Sequence, residues 1–265
     1  MAELPSEIDT SRPHPARMYD YFLGGKNHFA ADRETAEKVL AGAPTTRNSA
    51  RENRAFLGRA VHYLAAEAGI RQFLDIGTGL PSSNNTHEVA QRAAPESRIV
   101  YVDNDPIVLS HAQALLTSTP EGACAYIDAD IRDTGKIVKD AASLLDFGRP
   151  VAVCLIMILQ FIPDEDDPAS IVRALVDAVP SGSYLTIAHP ASDVDQYVGP
   201  ALRQLSTRMG GTRAVPRSHE QVSRFFDGLE LVEPGVVQLH RWRPGSGVVD
   251  TGRDLAAYGA VARKP

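Results

Sequence analysis

The stretch Phe73-Leu74-Asp75-Ile76-Gly77-Thr78-Gly79-Leu80-Pro81 restricts this chain more than any other part of it. An apolar run closes on an acidic residue and breaks at once into a Gly-x-Gly loop. The pattern predicts strand, tight turn and helix, because glycine accepts the backbone angles of a sharp turn and leaves room for a ligand where a Cβ would stand. Taken alone it has two readings, a nucleotide-binding turn or a plain βα connection. The later strands and their terminal residues separate the two.

From Arg71 onward strands and helices alternate. Phe73–Ile76, Arg98–Asp103, Ala123–Ala129, Val151–Leu159 and Tyr184–Ala188 read as strands, and Val151–Leu159 is apolar on both faces, as a central parallel strand covered on each side should be. Between them Ser82–Ala94, the segment opened by Asp105-Pro106, Lys136–Leu145 and the segment opened by Asp167-Pro168 read as helices; an Asp cap followed by proline is a strong start signal. Further on, Ser192–Met209 reads as a helix, Ser218 with Gln221 as a capping box, and Val236–Leu239 and Tyr258–Ala262 as the last strands. The expected fold is α/β: a Rossmann-like, doubly wound, mostly parallel seven-stranded sheet.

Carboxylates close three successive strands: Asp75 after the first, Asp103 after the second and Asp130 after the third. In an open α/β sheet the ligand crevice lies outside the carboxyl ends of the strands. An Asp ending the second strand can accept both hydroxyls of a ribose, and one after the third can accept an adenine amine. The predicted ligand therefore contains adenosine. Asp75 beside the glycine loop would repel a pyrophosphate and attract a sulfonium and an ammonium, and Ser82 departs from the Gly or Ala of the dinucleotide fingerprint, so S-adenosyl-L-methionine is favoured over NAD.

Ahead of this core, Met1–Ala16 is polar and proline-containing and is expected to be a mobile arm (residues 1–16); residues 17–69 are expected to form a helical cap or lid, and residues 70–265 the core. Arg17 to Phe29 packs aromatics, Gly24-Gly25 and polar groups together, which suits either a helix stopped by Gly24 or a ligand-covering lid. Asp32 is placed as the cap of the next helix. Arg47, Arg51 and Arg54 share one face of a longer helix, which is a solvated face or a carboxylate holder.

The formal charge of -6 argues against broad binding of nucleic acid or an anionic membrane, both of which need a basic surface. Cys124 and Cys154, the only cysteines, each sit in an apolar run and read as free thiols of a reducing, cytoplasmic compartment. No apolar signal segment is seen near Met1, and Val151–Leu159 is too short to span a bilayer, which takes roughly 20 residues. The charge and spacing give no oligomeric state and no metal site.

Asp75-Ile76-Gly77-Thr78-Gly79, Tyr101-Val102-Asp103-Asn104-Asp105 and Asp128-Ala129-Asp130-Ile131 resemble the successive cofactor motifs of class I S-adenosylmethionine-dependent methyltransferases. With Tyr19–Lys26, His87-Glu88-Val89-Ala90 and Phe225–Val232, they are similar to a family of mostly uncharacterised S-adenosyl methyltransferases, over about residues 17 to 244. The resemblance implies that Asp75, Gly77 and Gly79 line the methionine part of the cofactor, Asp103 the ribose, and Asp130 with Ile131 the adenine; Asn104, Tyr19 and Gly25 go with them as cofactor-side residues. Two departures stand out. Gln160 occupies a position where the family usually has His, and Lys26-Asn27-His28-Phe29 varies a usual Lys-Asp-Asn-Phe.

Methyl transfer from a sulfonium is an in-line displacement, so the protein acts mainly by holding the acceptor in line, an effect that reaches roughly 7 to 11 kcal/mol in ideal cases. An oxygen or protonated nitrogen acceptor also needs a base. His28, His87 and His189 are the candidates, each weighed against a structural or surface role. The expectation is a methyltransferase acting on a small-molecule acceptor; the alternatives are a non-catalytic S-adenosylmethionine-binding sensor, for which Gln160 is the support, and an NAD-binding oxidoreductase.

Overall fold

In the computed structural model, which describes residues 10–81, 84–108, 110, 117–195, 214–245 and 254–265, the alternation after Arg71 forms one eight-stranded sheet. Its strands are β1 (Gln72–Ile76), β2 (Arg98–Asp103), β3 (Ala123–Asp128), β4 (Ala152–Ile156), β5 (Tyr184–Pro190), β6 (Glu230–Leu231), β7 (Val237–Gln238) and β8 (Ala257–Arg263). The order is β3-β2-β1-β4-β5-β8-β6, with β7 also on β8. The pairs from β3 to β5 are parallel, and β8 runs antiparallel to β5, β6 and β7. The expected mostly parallel sheet is therefore present, with a short β7 beside it. Chain order reverses direction between β1 and β4, which is where a doubly wound sheet opens its ligand crevice.

Alternation along the strands sorts side chains to two cores. Phe73, Ile99 and Ala152 join one face with Phe56, Leu57, Ala60 and Leu64 from helix α3 (Thr46–Ala66). Leu74, Val100 and Val153 join the other with Ile137 of α5 (Thr134–Ala141) and Ile171, Val172 and Leu175 of α6 (Pro168–Asp177). This is the period-2 geometry of a strand buried on both sides. Asp75 follows the Phe73 side and faces α4 (Thr86–Ala93). Trp242 is fully buried and packs edge-on to Phe56 at 5.5 Å between ring centroids.

Several local expectations shift. The apolar run from Val151 does not stay extended to Leu159: Met157 takes φ 54, and Leu159–Phe161 coils into a short 3-10 turn. The turn lays Ile158 against the glycine loop, where a Cβ on Gly77 (φ +76) would sit 2.6 Å from the Ile158 side chain. Helix α4 starts at Thr86 rather than Ser82, because Glu88 reaches back to the Asn85 N–H at 3.0 Å and caps it there. Asp105-Pro106 does open a helical turn over Pro106–Val108, and most of the segment beyond that turn lies outside the described residues. So does most of the Ser192–Met209 segment. The capping box of Ser218 and Gln221 forms as read, ahead of α7 (His219–Ser223).

Helices α1 (Pro15–Leu23) and α2 (Ala30–Gly42) pack with the start of α3 around a small core of Met18, Phe22, Ala36, Val39 and Ala50. Order expected from Arg17 onward begins earlier, with Pro15 in the first turn of α1 and His14 as its cap. Asp32 is not the cap of α2 but stands in its first turn, fully buried: Oδ2 accepts the Phe29 N–H at 2.8 Å, Oδ1 accepts the His14 N–H at 2.9 Å, and Arg17 Nε lies 2.9 Å away. The buried guanidinium of Arg17 needs a carboxylate, and it draws Asp32 inward. Among the described residues no helix is long and apolar enough to cross a membrane.

Candidate active site

The ends of β1, β2 and β3, the turn after β4, and the facing parts of α1 and α3 enclose a cavity of about 720 Å³. Asp75, Gly77, Gly79, Asp103, Asn104, Asp130, Ile131 and Tyr19 all line it, although they come from four separate stretches of chain. The glycine loop supplies its floor. Gly77 donates to the Val102 carbonyl at 2.8 Å, and Gly79 (φ +64) donates to Asp103 Oδ2 at 2.9 Å, so the first loop is tied to the end of the second strand. Asp103 Oδ1 accepts the Asp105 N–H at 3.0 Å. Each carboxylate oxygen keeps further acceptor capacity for a ligand hydroxyl.

Burial sets the electrostatics. Desolvation raises the Asp75 pKa to about 6, against a hydrogen bond from Thr86 Oγ1 at 2.6 Å and the nearby charge of Arg54, which both lower it. Desolvation also raises Asp103, opposed by its two backbone donors. Asp105 is held below the usual carboxylate range: burial pushes it up, and the bond and charge of His14, with Nδ1 2.9 Å from Asp105 Oδ2, outweigh that. At the far edge Asp130 pairs with Arg132 at 3.1 Å, and Arg132 continues to Asp166 at 2.9 Å. Asn104 Nδ2 donates to Asp130 Oδ2 at 3.4 Å. Tyr19 is fixed at the opposite wall, its hydroxyl donating to the Ala50 carbonyl at 3.0 Å and accepting from Asn53 Nδ2 at 2.7 Å.

Four expected site residues do not reach the cavity. A Cβ on Gly25 would stand 2.0 Å from Asp20 Oδ1, so this glycine serves the packing of α1 against its own loop. His28 is engaged by the same Asp20, Nδ1 to Oδ2 at 3.1 Å. His87 is buried with Nδ1 2.8 Å from the Tyr101 hydroxyl, and desolvation lowers its pKa. His189 is fully buried; its Nε2 accepts from Arg217 at 2.9 Å, its Nδ1 donates to the Pro190 carbonyl at 2.9 Å, and desolvation brings its pKa down to about 3. The topology does bring His87 and His189 near strand ends, but hydrogen-bond demand inside the core turns each ring away. None of the three histidines lines the cavity as a base.

Of the three arginines expected to share a face of α3, Arg54 lines the cavity, Arg47 lies over the Tyr21 ring beside Glu37, and Arg51 is exposed. The solvated face and the site arginine are thus both present on one helix. Gln160 also lines the cavity, with Nε2 donating to the Met157 carbonyl at 2.7 Å, so its amide braces the turn after β4. Sequence reasoning missed His14 and Arg132 altogether. His14 sits in a stretch without periodicity, and its partner Asp105 is read as a helix cap and as the last residue of the second cofactor motif, with no partner expected for it from the N-terminal arm. Among the described residues no group of three His, Cys, Asp or Glu is placed to hold a metal ion.

The model of a family described as S-adenosyl methyltransferase matches residues 1–265. The chain belongs to this S-adenosyl methyltransferase family. It is a methyltransferase, and S-adenosylmethionine is its cofactor; the NAD reading is set aside. The crystal structure of a DUF574 family protein from Streptomyces avermitilis MA-4680 is 49% identical, with a TM-score of 0.94 over 98% of this chain and 100% of that one. A candidate methyltransferase from Thermobifida fusca YX is 39% identical, with a TM-score of 0.90 over 100% of this chain and 99% of that one. The plantazolicin methyltransferase BpumL, solved with S-adenosylhomocysteine, shares the fold alone: 9% identity and a TM-score of 0.53 over 94% and 95% of the two chains. A search of curated proteins found no match.

Proposed function

We propose that this family member transfers the cofactor's methyl group to a small-molecule acceptor in the cytoplasm. We further propose that residues 17–69 act as a cap on a core of residues 70–265. The observation that carries this reading is one cavity lined at once by Asp75, Gly79, Asp103 and Asp130 and roofed by the cap residues Tyr19, Asn53, Arg54 and Leu57. Bound there, the cofactor supplies an electrophilic methyl on a sulfonium.

The chain's own residues would divide the cofactor between them. Asp103 accepts from the ribose hydroxyls, Asp130 and Asn104 face the adenine with Ile131 against its plane, and the two glycines let the backbone come close. Asp75 and Arg54 lie together at the methionine end, a carboxylate for the ammonium and a guanidinium for the carboxylate. Ile156 at the end of β4, with Met157 and Gln160 just after it, lines the same cavity as Tyr19 and Leu57, and this is the wall assigned to the acceptor. That wall is mostly apolar, which excludes water and suits an acceptor with an apolar body.

Calorimetric titration tests the reading. S-adenosylmethionine and its demethylated product should both bind with one-to-one stoichiometry, while NAD, with its anionic pyrophosphate beside Asp75, should not; NAD binding with no response to the other two would overturn the assignment. A sensor that lacks catalysis would bind the cofactor but give no product with any acceptor in a library read by formation of S-adenosylhomocysteine.

Asp75 also gives the affinity a pH dependence. Its folded pKa, about 6, lies above the ordinary 3.8, so the empty protein holds this proton over that interval. Stability from this group is present below about pH 4 and is lost as pH rises to 6, by about 3 kcal/mol in all. The ammonium of a bound ligand favours the ionised form. Affinity for S-adenosylhomocysteine should therefore fall below pH 6, by up to about tenfold per unit. Asp75→Asn should bind weakly at every pH, lose that slope, and be the more stable protein at pH 7 when empty.

A further inference from the structure

We infer that the acceptor is a weakly basic primary aryl amine, methylated on the nitrogen whose N–H groups are received by Asn53 Oδ1 and Gln160 Oε1. This rests on the reading of the cavity as the S-adenosylmethionine site and narrows it to an acceptor class. Asn53, on α3, and Gln160, in the turn after β4, reach that cavity from the proposed cap and from the core, and both line it. Their side chains are 2% and 6% exposed, and neither amide oxygen meets a donor. A buried carbonyl oxygen left without a donor burdens the empty protein, and a ligand N–H relieves it.

Each amide is turned by its neighbour. The Tyr19 hydroxyl donates to the Ala50 carbonyl at 3.0 Å, so towards Asn53 its oxygen can only accept, and it takes a hydrogen of Nδ2 at 2.7 Å. The Met157 carbonyl can likewise only accept, and Gln160 Nε2 donates to it at 2.7 Å. Turning either amide over would set two oxygens face to face. The two side chains therefore keep their oxygens for another partner. Bulk water does not reach either atom, so the partner is a group pressed on the cavity wall, met by a side-chain adjustment of the kind common on binding.

Two acceptor oxygens select among chemical groups. A primary amine brings two hydrogens, a phenol one and a carboxylate none, so only the amine has one for each oxygen. Its charge state follows from the other groups in the cavity. An ammonium has no lone pair for the methyl and needs a base to make one. The carboxylates on the wall are taken: Asp75, Asp103 and Asp130 by the cofactor in this reading, and Asp166 by Arg132 at 2.9 Å. His14 is held by Asp105 at 2.9 Å, and burial raises the Tyr19 pKa, which keeps its proton in place. An aryl amine, already neutral at pH 7, needs none of them, and its ring suits the apolar wall. The nitrogen lone pair forms the N–C bond as the C–S bond breaks with its electron pair left on sulfur; the N-methyl ammonium product then loses one N–H proton to water.

The test uses a set of bicyclic aryl amines, each with its phenol, carboxylic acid and N,N-dimethyl counterparts, on the full chain at pH 7. With S-adenosylmethionine the primary amines should give S-adenosylhomocysteine and the N-methyl product, read by mass spectrometry. Turnover of phenols or acids in preference, or of no member of the set by protein that binds S-adenosylmethionine, would overturn the inference. On protein saturated with S-adenosylhomocysteine, calorimetry should find the best primary amine bound about tenfold or more tightly than its N,N-dimethyl counterpart, which has no N–H to give. Asn53→Leu and Gln160→Met should each cut that advantage to about threefold or less while S-adenosylhomocysteine still binds. A larger advantage surviving in either variant would overturn the inference, and the wild-type comparison decides alone where a variant does not fold. Wild-type protein that fails to bind S-adenosylmethionine at all would defeat the cofactor assignment, a failure distinct from the loss of amine preference.

Discussion

Asp103→Ala should weaken binding of S-adenosylhomocysteine by about ten- to a hundredfold at pH 7, because hydrogen bonds to a charged acceptor contribute roughly 1.5–3 kcal/mol. The loss has two parts. The ribose hydroxyls lose their proposed partner, and the Gly79 and Asp105 N–H groups, now bound to the carboxylate at 2.9 and 3.0 Å, lose theirs, which loosens the glycine loop and the turn beside it. The empty protein should suffer far less. Desolvation already raises the Asp103 pKa, so the buried carboxylate destabilises the unliganded fold, and its removal relieves part of what the freed N–H groups cost. Measuring thermal unfolding beside calorimetry separates the outcomes: a Tm near the wild type with a large loss of affinity supports the role, and unchanged affinity would place the ribose elsewhere. Asp103→Asn should not restore binding, since one of its two backbone donors would then face an amide N–H₂.

Those residues were legible because the signal was local. A strand that ends in Asp and breaks at glycine needs no partner to be recognised, and the rule that strand ends share one edge of a parallel sheet brought Asp75, Asp103 and Asp130 together before any coordinates. The strands β1, β2 and β5 follow from short apolar runs for the same reason. The turn at Met157 was not legible, since Val151–Leu159 is apolar throughout and nothing in it announces a left-handed residue. Its cause lies elsewhere, in the room that Gly77 leaves for Ile158. The histidines went wrong in a related way. Topology places a residue at a sheet edge, whereas the ring direction of His87 and His189 depends on Tyr101 and Arg217, partners chosen by tertiary packing. His14 is the mirror image: an ordinary residue in a polar stretch that acquires its place only when α1 docks.

Arg217 links the fold to the site and carries the other large expected effect: Arg217→Ala should lower stability by about 3–5 kcal/mol at pH 7, since it strands three buried neutral acceptors at roughly 1–3 kcal/mol each, measured by urea unfolding with the slope compared. The side chain is 2% exposed and donates to the carbonyls of Leu159 at 3.0 Å and Ile162 at 2.9 Å, to Asp164 at 2.7 Å and to His189 Nε2 at 2.9 Å. The Asp164 pair contributes least, because that carboxylate is 66% exposed and water replaces its partner readily. The cost comes from the two carbonyls and the imidazole nitrogen, which lie in a site that water enters poorly and would be left without a donor. His189 cannot compensate by taking up a proton at pH 7, since burial holds its pKa near 3. The same bonds hold the turn from Leu159 to Ile162, and Gln160, Phe161 and Ile162 line the cavity. A folded fraction of Arg217→Ala should therefore also bind S-adenosylhomocysteine more weakly. Arg217→Lys should recover part of the stability, because an ammonium can serve some of these acceptors but lacks the planar fork that reaches both carbonyls and the ring at once. A stability loss below about 1 kcal/mol would mean that water serves the carbonyls without it, and the turn after β4 would then owe its shape to Ile158 and Gly77 alone.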